Sequence, residues 1–497
     1  MIDGGVFIGR NPSTGAEFSA ADLSHHLRTH QAALTIASSY KAIFFDDKEG
    51  DDELLALAER VPGIVPAITF NPRRYAEGCP KSNLAALRDR GVKVFAVFEK
   101  PYYYETDWFS PLLKDAAHKA ASLGFVLQFG VKNEQGLSGV LQNFSDIKAP
   151  VLIRWMGGGA YRALAESVHA ARKFPHFYFD VASLTGVGMI SYFVKSVGAD
   201  RLYWASNAPE QFSFAGRFVL EAAGLSAQER DLILGGTLAA VLREDRGGHT
   251  PAFAPFKKWS ALPKIDTHWH LDHWNLIEPG KHEKDFPDVF KRNAIRKTVF
   301  SSIRALNGEM VEGNRSAFAF AKKTRGTYAL IVVDPTRPKE TLNEIRRYSK
   351  NTRCAGLKTI QDLYNLRLDG AAYQPFLNMA EKEDLAVMAH LPGMAEAARR
   401  HPSVRFIAAH ATYERAKKLF GLSNVWFDLA TSHRDAAETS WKRFIREAGD
   451  DRILFASDAP LMDPAWTAGK LAESGFTPRQ LRKIFSENAG NAFPRLK

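Results

Sequence analysis

Residues 265–270 read Ile-Asp-Thr-His-Trp-His, and residues 452–460 read Arg-Ile-Leu-Phe-Ala-Ser-Asp-Ala-Pro. Each stretch has an altered copy in the first half of the chain. Residues 2–7 read Ile-Asp-Gly-Gly-Val-Phe, and residues 201–209 read Arg-Leu-Tyr-Trp-Ala-Ser-Asn-Ala-Pro. The frame is repeated, but both histidines and one aspartate are exchanged for uncharged residues. The pattern indicates one domain present twice, with a complete polar site in the second copy only.

Two further pairs of segments support the repeat. Residues 66–72 (Pro-Ala-Ile-Thr-Phe-Asn-Pro) resemble residues 329–335 (Ala-Leu-Ile-Val-Val-Asp-Pro), and residues 179–182 (Phe-Asp-Val-Ala) resemble residues 427–430 (Phe-Asp-Leu-Ala). The pairs follow the same order in both halves, and their spacing drifts slowly, as loop insertions in a duplicated domain would leave it.

The length of 497 residues is too great for one ordinary domain, and two domains of roughly 250 residues are the natural division. The hydrophobic content of 45% and the charged content of 24% are typical of a globular protein with ample material for two cores. We therefore expect domains at residues 1–245 and 264–497. A stretch rich in Gly and Pro, residues 246–263, is the predicted linker.

The composition also bounds the partners and the compartment. The net charge is +11, but no sustained basic run is present, so the charge favours a small anionic substrate over a nucleic acid. No run of about 18 apolar residues predicts a membrane span, and no signal peptide is recognisable, so we expect a cytoplasmic protein. Two cysteines, Cys79 and Cys354, exclude a disulfide framework and a cysteine-based metal site.

Strands and helices are predicted to alternate, which indicates parallel βαβ units. Continuous apolar runs typical of buried strands lie at residues 387–389, 406–408, 425–427 and 453–455. Amphipathic helical patterns lie at residues 371–383 and 466–473. About 250 residues per copy favours a barrel over an open sheet. The predicted fold is α/β, with two tandem (β/α)8 TIM-like barrels.

Five polar residues of the second half are predicted to lie at the carboxyl ends of strands. His268 and His270 are two residues apart on the first strand, so their side chains point to the same face. His390, His410 and Asp458 each end another strand. A single histidine at a strand end is more typical of a hydrogen-bonded surface residue, but joint placement at one barrel mouth favours a divalent metal site.

The second half resembles the amidohydrolase-related branch of the amidohydrolase superfamily over essentially its whole length. The resemblance rests on Asp-x-His-x-His at residues 266–270, strands that end in His390 and His410, Ser-Asp-Ala-Pro at residues 457–460, and Glu-Asn-Ala at residues 487–489. Together these motifs are specific, whereas any one of them alone is weak.

The resemblance implies one divalent ion, most often zinc, held by His268, His270, His390 and Asp458. Water on such an ion has a pKa near 7 and attacks as hydroxide. His410 would orient or deprotonate that water, and Asp458 could share this role. The implied reaction is hydrolysis of a C–O or C–N bond in a small carboxylated lactone, ester or amide.

Two other functions remain open from the sequence. The same ligands serve non-oxidative decarboxylases of aromatic or unsaturated carboxylic acids, in which a proton is delivered to the carbon that loses CO2. The third interpretation is a non-catalytic double-barrel binding protein. Complete ligands in the second half argue against it, since an idle site would not need them.

Three cationic residues are candidates for holding the substrate. Arg304 and Arg434 follow the predicted second and seventh strands, where a substrate carboxylate would lie, although solvent-exposed loop charge explains them equally well. Lys358 lies near the fourth strand. In other branches of the superfamily a lysine thereabouts is carboxylated and bridges two metals; here we expect Lys358 to be salt-bridged or to face the substrate.

The first half lacks every predicted ligand. The residues that replace His268, His270, His390, His410 and Asp458 are, in that order, Gly5, Phe7, Phe129, Trp155 and Asn207. Such a set would hold no divalent ion. We expect this half to be a structural partner, which makes the chain either a monomer that mimics a dimer or a homo-oligomer. A sharper alternative is that tyrosines 102–104 line the neighbouring active site.

Overall fold

The computed structural model describes residues 1–76, 84–99, 107–156, 163–245, 248–273, 285–430 and 438–496, without the side chains of 73, 74 and 438–442. The chain divides into two compact units, Met1–Ala254 and Pro255–Lys497. This division falls inside the predicted linker, where residues Ala254–Ser260 form a helix. No helix of the described chain is long and apolar enough to cross a lipid bilayer.

A single sheet forms the centre of the first unit. Its described strands are β1 (Ile2–Arg10), β2 (Glu17–Phe18), β3 (Leu34–Ser39), β4 (Ile64–Thr69), β5 (Val94–Phe98), β6 (Val126–Val131), β7 (Val151–Trp155), β8 (Phe177–Asp180) and β9 (Leu202–Tyr203). The short strand β2 pairs antiparallel with β1. From β1 onward the other strands are parallel, and each pairs with the next in chain order.

Helices connect the strands of the first unit. They are α1 (Ala20–His30), α2 (Tyr40–Phe44), α3 (Asp47–Arg60), α4 (Pro72–Ala76), α5 (Leu84–Asp89), α6 (Pro111–Ser122), α7 (Glu134–Phe144), α8 (Leu164–Lys173), α9 (Met189–Val197), α10 (Ser213–Ala222), α11 (Ala227–Asp231) and α12 (Thr237–Leu242). A π-helical segment, Leu232–Gly236, joins the last two.

The second unit also alternates strands and helices. Its parallel strands, which pair in chain order, are β10 (Lys264–Leu271), β11 (Ile295–Ser302), β12 (Thr327–Val332), β13 (Cys354–Thr359), β14 (Ala386–Ala389), β15 (Phe406–Ala408), β16 (Val425–Asp428) and β17 (Ile453–Leu454). Its helices, together with the helix at the unit boundary, are α13 (Ala254–Ser260), α14 (Phe286–Arg292), α15 (Ile303–Leu306), α16 (Met310–Lys323), α17 (Pro338–Tyr348), α18 (Gln374–Lys382), α19 (Met394–Arg400), α20 (Tyr413–Ala416), α21 (Glu438–Ala448), α22 (Pro464–Glu473), α23 (Pro478–Arg482) and α24 (Ala489–Ala492). A π-helical segment, Lys483–Glu487, again joins the last two.

Backbone hydrogen bonds bring the two edges of each sheet together. In the first unit, the amide of Gly4 donates to the carbonyl of Trp204 at 2.8 Å, in the segment after β9. In the second unit, the amide of Thr267 donates to the carbonyl of Phe455 at 3.0 Å, and the amide of His270 donates to Ala459 at 2.7 Å. The chain is therefore α/β with two barrel-like parallel sheets, as predicted from the alternation of strands and helices.

Apolar side chains from the strands of the second unit form one buried cluster. Val299, Leu330, Met388, Ile407 and Leu454 belong to it, and each comes from a different strand. Because such a cluster is closely packed, replacing one of its leucines with alanine costs about 2–5 kcal/mol. The cluster holds the strands in register, and that register brings the residues at their carboxyl ends to one place.

Candidate metal centre

Three of the predicted site residues converge in the second unit. One ligand atom from each of His268, His410 and Asp458 lies within 4.8 Å of the others. His268 Nε2 is 3.6 Å from Asp458 Oδ1. Two ligands of a tetrahedral ion with bonds of about 2.1 Å are about 3.4 Å apart, so this spacing fits a shared divalent ion.

The backbone turns two of these side chains toward the centre. His410 and Asp458 lie just beyond the ends of β15 and β17, and both adopt the left-handed conformation, with φ of 54° and 66°. Aspartate, asparagine and histidine tolerate this region better than bulky or branched residues do. The amide of Asp458 also donates to the carbonyl of His268 at 2.8 Å, which ties the last strand to the first.

A buried carboxylate orients His268. Asp428 Oδ2 is 2.5 Å from His268 Nδ1, and Asp428 is fully buried at the end of β16. The Nζ of Lys358, which donates, lies 3.0 Å from His268 Nε2, so the Nε2 lone pair faces the centre and Nδ1 carries the proton toward Asp428. A carboxylate behind a histidine in this way fixes the ring orientation and strengthens the nitrogen as a metal ligand.

The main chain after β16 orients His410. The Nδ1 of His410 donates to the carbonyl of Ala430, which can only accept, so Nε2 is the nitrogen with a free lone pair. The amide of Ala430 in turn donates to Asp428 Oδ1 at 2.6 Å. One short segment therefore sets the tautomers of both histidines, His268 through its carboxylate and His410 through its carbonyl.

His270 joins the centre through Asp458. Its Nε2 lies 3.0 Å from Asp458 Oδ1, and its Nδ1 lies 3.1 Å from the hydroxyl of Ser301. A hydroxyl can donate or accept, so Ser301 supports either tautomer of His270. Burial alone would raise the pKa of Asp458, but the hydrogen bond to His270 and the charges of His268 and His410 hold this pKa below its usual value. Asp458 is therefore ionised at neutral pH, and its carboxylate can only accept hydrogen bonds.

His390 lies beside this group rather than within it. Its ring centroid is 5.3 Å from that of His410, and its Nδ1 is 2.5 Å from Asp362 Oδ2. Burial, reinforced by the charge of Lys358, lowers the pKa of His390 to about 4. The ring is therefore neutral at neutral pH, which is the form that binds a metal.

Lys358 is buried at the centre of the same barrel. It lies on β13, and its Nζ is 3.0 Å from His268 Nε2. Burial lowers the pKa of Lys358 to about 8, although Asp428 and Asp458 oppose that change. The ammonium thus uses the lone pair with which His268 would bind an ion, and it must give up this contact when an ion is held.

The two arginines proposed for substrate binding have different outcomes. Arg304 is engaged by two glutamates of its own loop and helix, Glu309 and Glu312, and its side chain is 45% exposed. An exposed, ion-paired arginine matches the alternative of solvent-exposed charge, and substrate binding by Arg304 stays a prediction. Arg434 lies outside the described residues, and so do the tyrosines at 102–104.

Sequence reasoning missed the residues that support the site. Asp428 and Asp362 orient two of the histidines, and Asp266 holds the strand ends together, because it accepts from the amides of His268 at 3.2 Å and Ser457 at 3.0 Å. Burial raises the pKa of Asp266 to about 7. The signal for Asp428 was the repeated Phe-Asp at the end of a strand, which occurs in both halves.

The first unit has the same aspartate-to-amide hydrogen bonds at its strand ends, but different side chains occupy its centre. Asp3 accepts from the amides of Gly5 at 3.0 Å and Ser206 at 2.8 Å, as Asp266 does in the second unit. Arg154 is fully buried, and its Nε donates to Asn207 Oδ1 at 2.6 Å. A Cβ added to Gly5 would lie 2.3 Å from Arg154 Cζ, so the guanidinium takes the space that a side chain at this position would need.

The strand register corrects one position of the sequence alignment. Phe129 pairs with Ile153 on the next strand, as Ala389 pairs with Ala408 in the second unit. Phe129 therefore corresponds to Ala389, and Gly130 is the residue at the place of the predicted ligand after β14. The alignment was off by one because an apolar run has no internal feature to set its register.

A family model described as amidohydrolase matches residues 265–495. The match covers nearly the whole of the second unit, which spans Pro255–Lys497. No curated protein matches the chain. Among solved structures, 2,6-dihydroxybenzoate decarboxylase from Rhizobium is 15% identical over 47% of this chain and 99% of that one, with a TM-score of 0.39.

Two further solved structures give similar values. An amidohydrolase from Burkholderia multivorans is 15% identical over 47% of this chain and 99% of that one, with a TM-score of 0.41. The 5-carboxyvanillate decarboxylase from Novosphingobium aromaticivorans, complexed with manganese, is 14% identical over 47% and 97%, with a TM-score of 0.37. Values this low are not evidence for a shared substrate.

Proposed function

We propose that the second unit is a metal-dependent hydrolase of a small anionic substrate. One divalent ion would be held by His268, His270, His390 and Asp458, with His410 beside it. The proposal is carried by the convergence of His268 Nε2 and an ionised Asp458 carboxylate at a spacing that suits one ion. Zinc is the proposed ion, because a set rich in imidazole nitrogen suits it.

When bound, such an ion supplies a Lewis acid that brings the pKa of water to around 7. The protein supplies the proton acceptor. His410 Nδ1 is committed to the Ala430 carbonyl, so His410 Nε2 is free to take a proton from water. A proton acceptor at this place supports hydrolysis of a C–O or C–N bond, whereas decarboxylation needs a protonated donor next to the substrate carbon.

Lys358 supports the choice of an anionic substrate. Its ammonium is fully buried, and its described hydrogen-bond partner is the lone pair of His268 that an ion would take. Once that lone pair is used, the buried charge needs a new acceptor, because an unpaired charge away from water is costly. A substrate carboxylate meets this need, so we propose that Lys358 contacts it.

The experiment is a substrate screen on the zinc-loaded chain and on a His410→Gln variant. Esters, lactones and amides that carry a carboxylate are assayed for hydrolysis, and aromatic acids are assayed for CO2 release. Hydrolysis that falls at least 100-fold in His410→Gln, with metal content retained, supports the proposal. CO2 release in place of hydrolysis means a decarboxylase, and no ion under any loading condition means a double-barrel binding protein.

We also propose that the two units are tandem copies of one domain, with domains at 1–245 and 264–497, and that the first copy holds no metal. Two observations support this: apart from the short antiparallel strand β2, the strands of each unit pair in chain order, and Asp3 and Asp266 make the same pair of main-chain hydrogen bonds. Among described residues, the group of possible metal ligands lies in the second unit.

A further inference from the structure

The centre of the first unit contains a buried charge whose hydrogen-bonding capacity is largely unused. Arg154 is fully buried, and its Nη1 and Nη2 have no hydrogen-bond partner among the described residues. Arg217, which is also buried in this unit, differs: its Nη2 lies 2.9 Å from Glu221 Oε1, and its Nε lies 3.0 Å from the same oxygen. Both arginines are therefore buried, but only Arg217 of the two forms an ion pair with a described carboxylate.

The guanidinium of Arg154 is held by one hydrogen bond and by aromatic rings, while the charges of Asp180 and Asp3 act on it from beyond ion-pair distance. Its Nε donates to the amide oxygen of Asn207, and its Cζ lies 4.0 Å from the ring centroid of Phe7 and 5.9 Å from that of Phe98. In the described part of the chain, no carboxylate oxygen lies within ion-pair distance of Arg154. Asp180, an acid of the same centre, accepts from Asn207 Nδ2 at 3.0 Å and from the amide of Ala182.

An unpaired charge in such a place is costly, and buried charges in folded proteins are paired or bind a ligand. The two Nη groups of an arginine form a planar fork that matches the two oxygens of a carboxylate or a phosphate. Arg154 is the next-to-last residue of β7, so the fork lies near the carboxyl end of the sheet, where ligands of barrels bind.

We propose that the first unit binds a small oxyanion, a carboxylate or a phosphate, through Nη1 and Nη2 of Arg154. The site is independent of the metal centre and goes beyond the function proposed for the second unit. Gly5 makes the site, because the guanidinium lies where any larger side chain would be. Phe7 stacks against the guanidinium and keeps it from withdrawing, so the ligand must come to the fork.

The test measures anion binding to the full chain, with Asp458→Asn present throughout and a chelator added so that no metal contributes. Sodium phosphate and sodium formate are titrated by calorimetry in chloride-free buffer at constant ionic strength. The variants are Arg154→Met, which keeps the bulk of the side chain, and Arg154→Lys, which keeps the charge without the fork. Arg217→Met is the matched control, because it removes a buried arginine that is already paired.

We expect one of the two anions to bind with a dissociation constant that rises at least tenfold in Arg154→Met and less in Arg154→Lys. Arg217→Met is expected to lower stability and to leave this constant unchanged. If Arg154→Met does not fold, the test is whether the dissociation constant of the anion is higher in Arg154→Lys than in Arg217→Met. Equal anion binding in all folded variants, or none in the parent chain, overturns the proposal and leaves the guanidinium as a filler of the space at Gly5.

Discussion

At the centre of the second barrel, His268 lies between the carboxylates of Asp428 and Asp458, with its Nε2 lone pair facing inward. At the corresponding place in the first barrel, Gly5 leaves its space to the guanidinium of Arg154. Both centres put a positive charge beside the same frame of strand ends. On the function proposed above, the second barrel would hold a removable cation there, whereas the first carries the guanidinium of its own Arg154.

A second comparison concerns the hydrogen bonds of two buried aspartates, one in each unit. Asp180 ends β8 and Asp428 ends β16, each directly after a phenylalanine, and both accept a hydrogen bond from the amide two residues on, at 2.7 Å and 2.6 Å. Their second oxygens differ in partner: Asp428 holds His268, and Asp180 accepts from the amide nitrogen of Asn207. The bond to the main-chain amide is therefore common to both units, whereas the bond to a side chain differs between the two centres.

The largest effect is expected from removing a ligand in the second barrel. His268→Ala and Asp458→Asn should each reduce the metal content from about one ion per chain to nearly none, because each removes one of the converging ligand atoms. Activity on any substrate found should fall by about a thousandfold or more. Elemental analysis by mass spectrometry is the measurement. An ion retained in both variants would mean that the first barrel also binds metal.

Asp428→Asn should weaken metal binding by about 10- to 100-fold, because the carboxylate no longer fixes the tautomer of His268. Asp180→Asn is the matched control, since Asp180 makes the same main-chain bond in the first unit. The control should leave zinc affinity unchanged in a competition assay with a chelating dye. Equal loss in both variants would assign Asp428 a purely structural role.

Asp362→Asn should have a smaller effect of the same kind. Asp362 holds His390 through Nδ1, but its side chain is 52% exposed, so water can replace the carboxylate. We expect zinc affinity to fall by about tenfold or less. An effect as large as that of Asp428→Asn would place His390 nearer to the ion than its present distance from the other ligands indicates.

Asn207→Asp restores to the first barrel the residue type of Asp458, and it should add no second ion. The new carboxylate would meet the guanidinium of Arg154, which already supplies the positive charge, and Gly5 offers no imidazole. Metal content should therefore stay at about one ion per chain. Two ions per chain in this variant would show that Asn207 alone keeps the first barrel free of metal.

The smallest effect concerns pH and the stability of the first unit. Burial raises the pKa of Asp180 to about 7, above the value of about 4 that an aspartate has in an unfolded chain. Protonated Asp180 therefore contributes to the free energy of unfolding, and this contribution is fully present below pH 4 and is lost as the pH rises through 7. The Tm of the parent relative to Asp180→Asn should therefore fall by a few degrees between pH 4 and pH 8, as followed by circular dichroism. A constant difference across this range would contradict the assignment.

The sequence by itself determined the alternation of strands and helices and which residues come to the strand ends. These are local properties: apolar runs, their spacing, and a His or Asp directly after a run. His268, His410 and Asp458 were predicted to meet, and the structure brings them together. The reason is that parallel strands in chain order put their carboxyl ends at one mouth, whatever the loops between them do.

Only the tertiary structure decided which partner each side chain has. Asp428 and His268 are 160 residues apart, and their contact depends on the closure of the sheet. Lys358 could have pointed to either face, and its contact with His268 follows from the register of β13. Arg154 lies in an apolar strand and carries no sequence signal. Its inward position depends on strand register and on the space at Gly5, which are properties of the folded barrel alone.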